Sequence, residues 1–235
     1  MDSISVCDTI LSEVDGEHGR LLIRGCPLAE LVASATFESA TARLWQDLVP
    51  DTPAADELRT RLGRARSAVF EALADLYPRL TTLPVMDGLR SAVSSLPAAL
   101  SDPLAVVAAV PVSVAALARL RGNAAPLPPQ PALSQAHDFL RMARGADPST
   151  AEVAALDAYL VTVCEHGMNA STFTARIIAS TRSTLPAAVT GALGALQGPL
   201  HGGAPGPVLD MLDAIGDIER ADAWIEAQLQ DGKRL

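Results

Sequence analysis

Lysine is almost missing from this 235-residue sequence: Lys233 is its only one, and the formal net charge is −9. Binding to nucleic acid or to an anionic membrane surface is carried by concentrated basic patches, and none is visible, so neither partner is expected. Small anions remain open as ligands, held by local arginines or helix N-termini rather than by a global positive field. Aromatic residues are scarce too, at 3%. A core must then be packed by Leu, Val, Ile and Ala, which suits close-packed helices better than a sandwich of strands. Cys7, Cys26 and Cys164 are an odd set without metal-ligand or C-x-x-C spacing. That excludes a disulfide framework and points to a reducing cytoplasm. The start, M-D-S-I-S-V-C-D, has neither a basic n-region nor an apolar h-region, so no signal peptide is expected.

What is present is apolar and helical in period. Half of the residues are hydrophobic, and the length is ample for a large core. Short apolar runs about Asp15-Gly16 predict a hairpin between Thr9 and Ile23, with His18 a solvated turn residue. Pro27 opens a helix through Val32, and Phe37, Ala40, Leu44 and Leu48 mark another. From Ala54 to Tyr77 the stripe is Leu58, Leu62, Ala65, Val69, Leu73 and Leu76; Arg59, Arg61, Arg64 and Arg66 lie mostly off it and read as a solvated face. Met86, Leu89, Val93 and Leu96 continue the helical pattern. The run from Pro103 to Leu120 is the most apolar, yet it is Ala-rich, interrupted by Pro111 and closely bounded by Asp102 and Arg119. It reads as a buried, kinked core helix rather than a membrane span. The segment A-P-L-P-P-Q-P, 125–131, reads as an extended surface strap. Ser134 caps a helix through Arg144 that carries His137 on a polar flank. Asp147, Pro148 and Ser149 start the next, with Val153, Leu156, Leu160 and Val163 as its stripe.

Two histidines stand where helical periodicity breaks. His166 follows that last stripe, beside Gly167, and Asn169 or Ser171 can cap the helix that comes next. On its own terms His166 is either a local hydrogen-bonding residue or a ligand contact. Pro186 starts a helix bearing Gly191 and Gly194, small enough to admit another helix closely, within the chain or across a subunit interface. Gly198 and Pro199 end it. His201 follows, then Gly202 and Gly203, which leave room for a ligand to approach the backbone. A histidine just before a helix N-terminus feels the positive end of the dipole, which favours neutral imidazole, able to donate to an oxygen on which negative charge develops. Cys164 beside His166 invites a thiol-nucleophile reading, but a cysteine at the end of an apolar helix is usually packing. No third ligand stands at motif spacing, so no metal site is expected.

At these residues the sequence resembles the citrate synthase family, in its bacterial citrate/2-methylcitrate synthase branch. The likeness begins with S-E-V-D-G-E-H-G-R-L-L-I-R-G and continues through P-L-P-P-Q-P-A-L-S-Q-A-H-D-F-L and A-L-D-A-Y-L. It is strongest in E-H-G-M-N-A-S-T-F-T-A-R and G-A-L-Q-G-P-L-H-G-G-A-P. The resemblance implies an all-α fold with a small N-terminal β-hairpin: residues 1–203 as the N-terminal part of a multi-helix large domain, 204–235 as the opening helices of a small one. It implies a cytoplasmic transferase of the tricarboxylic acid cycle that condenses acetyl-CoA or propionyl-CoA with oxaloacetate. Acyl-CoA is then a substrate and no cofactor is needed. His166 matches the family histidine that contacts oxaloacetate. His201 matches the catalytic one that hydrogen-bonds the thioester carbonyl and stabilises the enol or enolate, with Asn169, Gly202 and Gly203 as supporting loop residues. The implied partner is a second citrate-synthase chain, in a homodimer or with another family member.

The resemblance also implies what is not here. A second catalytic histidine in a G-F-G-H-R-type motif, the aspartate that removes the acyl α-proton and the carboxylate-binding arginines match no residue up to Leu235. Asp210, Asp213 and Asp217 read as solvent-facing, and Arg176 and Arg182 do not match the carboxylate clamps. The expectation is an incomplete, C-terminally truncated site with little or no activity by itself. Alternatives are one subunit of a split synthase, or a non-catalytic interaction protein pairing with a full-length paralogue.

Overall fold

In the computed structural model the described residues are 8–198, 201–202 and 205–232. The boundary expected between 203 and 204 lies outside them, as do Gly203, Pro199 and Lys233. The predicted hairpin forms from β1 (Ser12–Asp15) and β2 (Arg20–Ile23), antiparallel, with Ser12 opposite Ile23. A two-residue strand, β3 (Cys26–Pro27), extends it to the order β1-β2-β3. Twelve α-helices follow among the described residues, which is the all-α architecture expected.

Helices α1 (Leu28–Ser34) and α2 (Phe37–Trp45) come first. The second is shorter than its stripe suggested, because Asp47 takes a positive φ of 62° and turns the chain before Leu48. Helix α3 (Ala55–Leu73) buries Leu58, Leu62, Val69 and Leu73, the expected stripe. The short α4 (Tyr77–Leu80) contains Pro78 in its first turn, where the missing N–H costs nothing. Helix α5 (Val85–Ser94) follows.

Helix α6 (Pro103–Arg121) is the centre of the core. The Asp102 carboxylate caps it by accepting from the Leu104 and Ala105 N–H groups at 2.9 and 3.1 Å. Ala105, Ala108, Ala109, Val112, Ala115, Ala116 and Leu117 are buried on it, while Val107, Val110, Pro111 and Val114 are only partly covered, so its length and apolarity are those of a core helix packed among α3, α4, α5 and α7. Helix α7 (Gln135–Arg144) starts at Ser134 as predicted and ends on Gly145 at φ 87°. Helix α8 (Thr150–Thr162) is opened by a capping box between Ser149 and Glu152. Then come α9 (Ala170–Ser180), α10 (Leu185–Leu196), α11 (Pro205–Ile215) and α12 (Ala221–Gln230).

One expectation is overturned. Arg66 is not on a solvated face; it is fully buried, whereas Arg59, Arg61 and Arg64 are exposed. Its Nε donates to Asp138 Oδ2 at 2.9 Å, Nη1 to Gln135 Oε1 at 2.8 Å, and Nη2 to the Leu133 carbonyl at 2.8 Å. Asp138 also accepts from Arg141 at 2.8 Å and from the Gln130 N–H at 3.1 Å. Burial lowers the Arg66 pKa, opposed by the charge and hydrogen bond of Asp138. The proline-rich strap is therefore anchored rather than laid loosely on the surface. Pro129 is buried, and a Cβ on Gly63 of α3 would sit 2.0 Å from the Pro131 carbonyl oxygen.

Two carboxylates link the helices that lead to the His166 break. Asp157 of α8 accepts from the Phe37 N–H at the start of α2, at 2.9 Å. Glu38 of α2 accepts from the Gln135 N–H at the start of α7, at 2.7 Å. Helix α8 thus satisfies an orphan N–H of α2, and α2 one of α7, which holds the three in register. Burial raises the Asp157 pKa, opposed by the Phe37 N–H and reinforced by the Glu38 charge.

Candidate active site

Helix α8 ends at Thr162, and the chain runs without regular structure through Glu165, His166 and Gly167 to Asn169. Gly167 has φ 90°, a conformation that favours glycine, and it reverses the chain. Of the two capping candidates it is Asn169 that caps α9, its side chain accepting from the Thr172 N–H at 2.9 Å. His166 is exposed, three residues before that cap.

Ser171 is therefore released for another partner, and its Oγ lies 2.6 Å from His201 Nε2. His201 is half-buried in the turn after α10. Its N–H donates to the Gly198 carbonyl at 3.0 Å, and the Gly202 N–H donates to the Leu196 carbonyl at 2.9 Å, closing the end of α10. A Cβ on Gly202 would lie 2.2 Å from the Leu196 oxygen, so what Gly202 makes room for in this structure is the C-terminus of α10. Gly203 lies outside the described residues.

The two histidine elements are brought together through α9. His166 lies in the break just upstream of its Asn169 cap, and His201 reaches its second residue, Ser171. The position of α10 beside α9 is fixed at Gly191, where a Cβ would meet Ile178 Cδ1 at 2.3 Å. The close helix approach expected there is thus made within the chain. Sequence reading treated Ser171 only as a possible cap. N-cap preference could not separate the two, since Asn and Ser cap about equally well.

Asp210, Asp213 and Asp217 are exposed, as are Arg176 and Arg182. His18 pairs with Asp15 at 2.8 Å in the hairpin turn, and His137 is 3.9 Å from Asp147. Burial, and then the Glu165 charge, push the Cys164 thiol up, away from the thiolate a nucleophile requires. No group of three or more His, Cys, Asp or Glu side chains able to hold a metal ion occurs among the described residues.

Comparison with known proteins places this architecture. The family model described as the citrate synthase C-terminal domain matches residues 1–235. The chain is 36% identical to the 2-methylcitrate synthase of Mycobacterium tuberculosis over 245 residues, covering 99% of this chain and 62% of that protein. Its identity to the citrate synthase of Mycolicibacterium smegmatis is also 36%, over 99% of this chain and 65% of the other. The crystal structure of citrate synthase from Thermotoga maritima superposes with a TM-score of 0.79 at 30% identity, covering 99% of this chain and 64% of that one. The chain thus spans a little under two thirds of the length of these relatives. With the family model matched from end to end, and both histidine elements joined through α9 in a helical fold of the same kind, this chain belongs to the citrate synthase family.

Proposed function

We propose that this chain supplies the oxaloacetate-facing and acyl-CoA-facing histidines of a site that condenses acetyl-CoA or propionyl-CoA with oxaloacetate, releasing CoA and citrate or 2-methylcitrate. The observation that carries the reading is the 2.6 Å contact between Ser171 Oγ and His201 Nε2. A neutral imidazole has one N–H and one bare nitrogen. With the Ser171 hydroxyl donating to Nε2, the ring proton is on Nδ1, a donor for the thioester carbonyl oxygen as enolate charge builds there. His166, exposed at the mouth of the same break, is the contact for oxaloacetate. Asn169 supports both by fixing the start of α9. Acyl-CoA is a substrate on this reading, no cofactor is required, and the cysteine usage supports a cytoplasmic setting.

The family resemblance assigns the second catalytic histidine, the proton-abstracting aspartate and the carboxylate-binding arginines to segments that these 235 residues do not include. Without a positioned base, enolate formation keeps a large barrier. The 235 residues alone are therefore expected to bind oxaloacetate yet turn over little. Calorimetric titration tests this: the chain binds oxaloacetate, and H166A weakens binding by about tenfold, as expected for losing one hydrogen bond to a charged ligand. Wild-type protein that takes up no oxaloacetate, or an H166A variant that binds as tightly, sinks the reading.

A second observation favours pairing with another citrate-synthase chain, as a homodimer, as one half of a split enzyme or as a non-catalytic partner of a complete paralogue. A cavity of about 660 Å³ lies open between α6, α7 and α8, lined by Val107, Val110, Val114, Phe139, Leu160 and Val163 among others. Tyr159, Phe173 and Ile177 add exposed apolar surface on α8 and α9. Exposed apolar surface of this kind is suited to burial against another chain. Of the three, the homodimer needs no further component.

A further inference from the structure

His166 poses a positioning problem. It is exposed, so packing cannot hold its ring, and it lies in a break between helices where no ladder of backbone hydrogen bonds fixes the chain. Both residues flanking it are nevertheless tied down. Glu165 Oε1 accepts from the Gly167 N–H at 2.6 Å, so one carboxylate oxygen spans His166 from its preceding residue to its following one. The same oxygen accepts from Ser12 Oγ at 2.9 Å, 153 positions away on β1.

Strand β1 meets the break twice. Ser12 and Val14 are two residues apart and so share one face of the strand. Ser12 reaches Glu165, and Val14 Cγ2 lies 3.5 Å from where a Cβ on Gly167 would stand. The strand is itself anchored: Ser12 pairs with Ile23, which is fully buried in a cluster with Leu31 and with Val161 of α8. The hairpin is therefore fastened to the helix that delivers His166 and to the loop that carries it.

The geometry points to Glu165 as a positioning residue for His166, acting with Ser12 and β1 as a brace that holds the oxaloacetate contact in place. The inference rests on the reading of His166 given above, but the brace is a property of the loop and can be measured without substrate. Because Oε1 serves both donors, an amide oxygen can replace it in part. An aspartate, one methylene shorter, cannot reach both Ser12 and Gly167. Conformational freedom removed before binding is freedom that binding no longer has to remove, so the brace acts on affinity for oxaloacetate.

The test uses the full 235-residue chain and the variants E165A, E165Q, E165D and S12A. Hydrogen–deuterium exchange of residues 163–169 should rise about tenfold in E165A, the loss of one charge-assisted bond, with α6 unchanged. E165Q should recover most of the protection, and E165D and S12A less. Oxaloacetate titration should show about a tenfold loss in E165A, with E165Q largely restored. E165A exchange equal to wild type overturns the brace, and so does loosening that extends through α6, which would mark general unfolding. A loosened loop with unchanged oxaloacetate affinity overturns the positioning role. If wild type binds no oxaloacetate, the functional reading falls, and loop exchange alone decides the brace.

Discussion

Tyr77 is fully buried, and its hydroxyl meets Ser113 Oγ at 3.3 Å. Burial pushes its phenol up to about 12. The unfolded chain ionises the same group near its ordinary value of 10.0. The stability that Tyr77 contributes is thus fully present below pH 10 and is lost as pH rises towards 12. At about 1.4 kcal/mol per pH unit that is on the order of 2–3 kcal/mol across the window. Thermal unfolding of wild type should therefore steepen against pH between 10 and 12, while Y77F, with nothing to titrate, follows a flatter course. Parallel curves would refute this. At the same scale, residue types alone revealed the helix breaks that carry His166 and His201, the Ser134 cap and the Asp15-Gly16 turn, because each depends on near neighbours. They did not reveal Ser171 as the partner of His201, since that contact exists only once α9 and α10 have packed.

The elements repeat that division. Periodicity located α3, α5 and α8, while a continuous apolar run marked α6 and the Ser134 cap marked α7, all signals intrinsic to each segment. It misplaced Arg66, because the partners of that residue, Gln135 and Asp138, lie 69 and 72 positions away. A buried arginine is tolerated where several acceptors converge on it, and three such acceptors come from α7 and the turn before it. Removing one member of a buried pair leaves the other charge uncompensated, at about 3–5 kcal/mol. R66A should therefore lower the denaturant midpoint sharply. R66K, which keeps the charge but not the planar fork, should recover only part of the loss. An R66A variant within about 0.5 kcal/mol of wild type, the range of ordinary surface substitutions, would contradict this account of how the strap and α7 are held to α3.

For the whole molecule, surface left uncovered is as informative as the core. The cavity between α6, α7 and α8 is apolar, and Leu209, Leu212, Ile218 and Leu229 are exposed on or beside α11 and α12. Composition could show that half the chain is apolar but not which faces stay outside the core. Multi-angle light scattering should report a dimer of the 24.4 kDa chain. V163E, which charges the cavity wall, should shift it to monomer. A wild-type monomer at high micromolar concentration would contradict homodimerisation.

The central claim is that these residues hold one side of a condensation site. It is tested most directly by following free CoA thiol release when the purified chain is mixed with oxaloacetate and acetyl-CoA or propionyl-CoA. The account predicts release at background. Sustained release, with citrate or 2-methylcitrate formed in step, would contradict it.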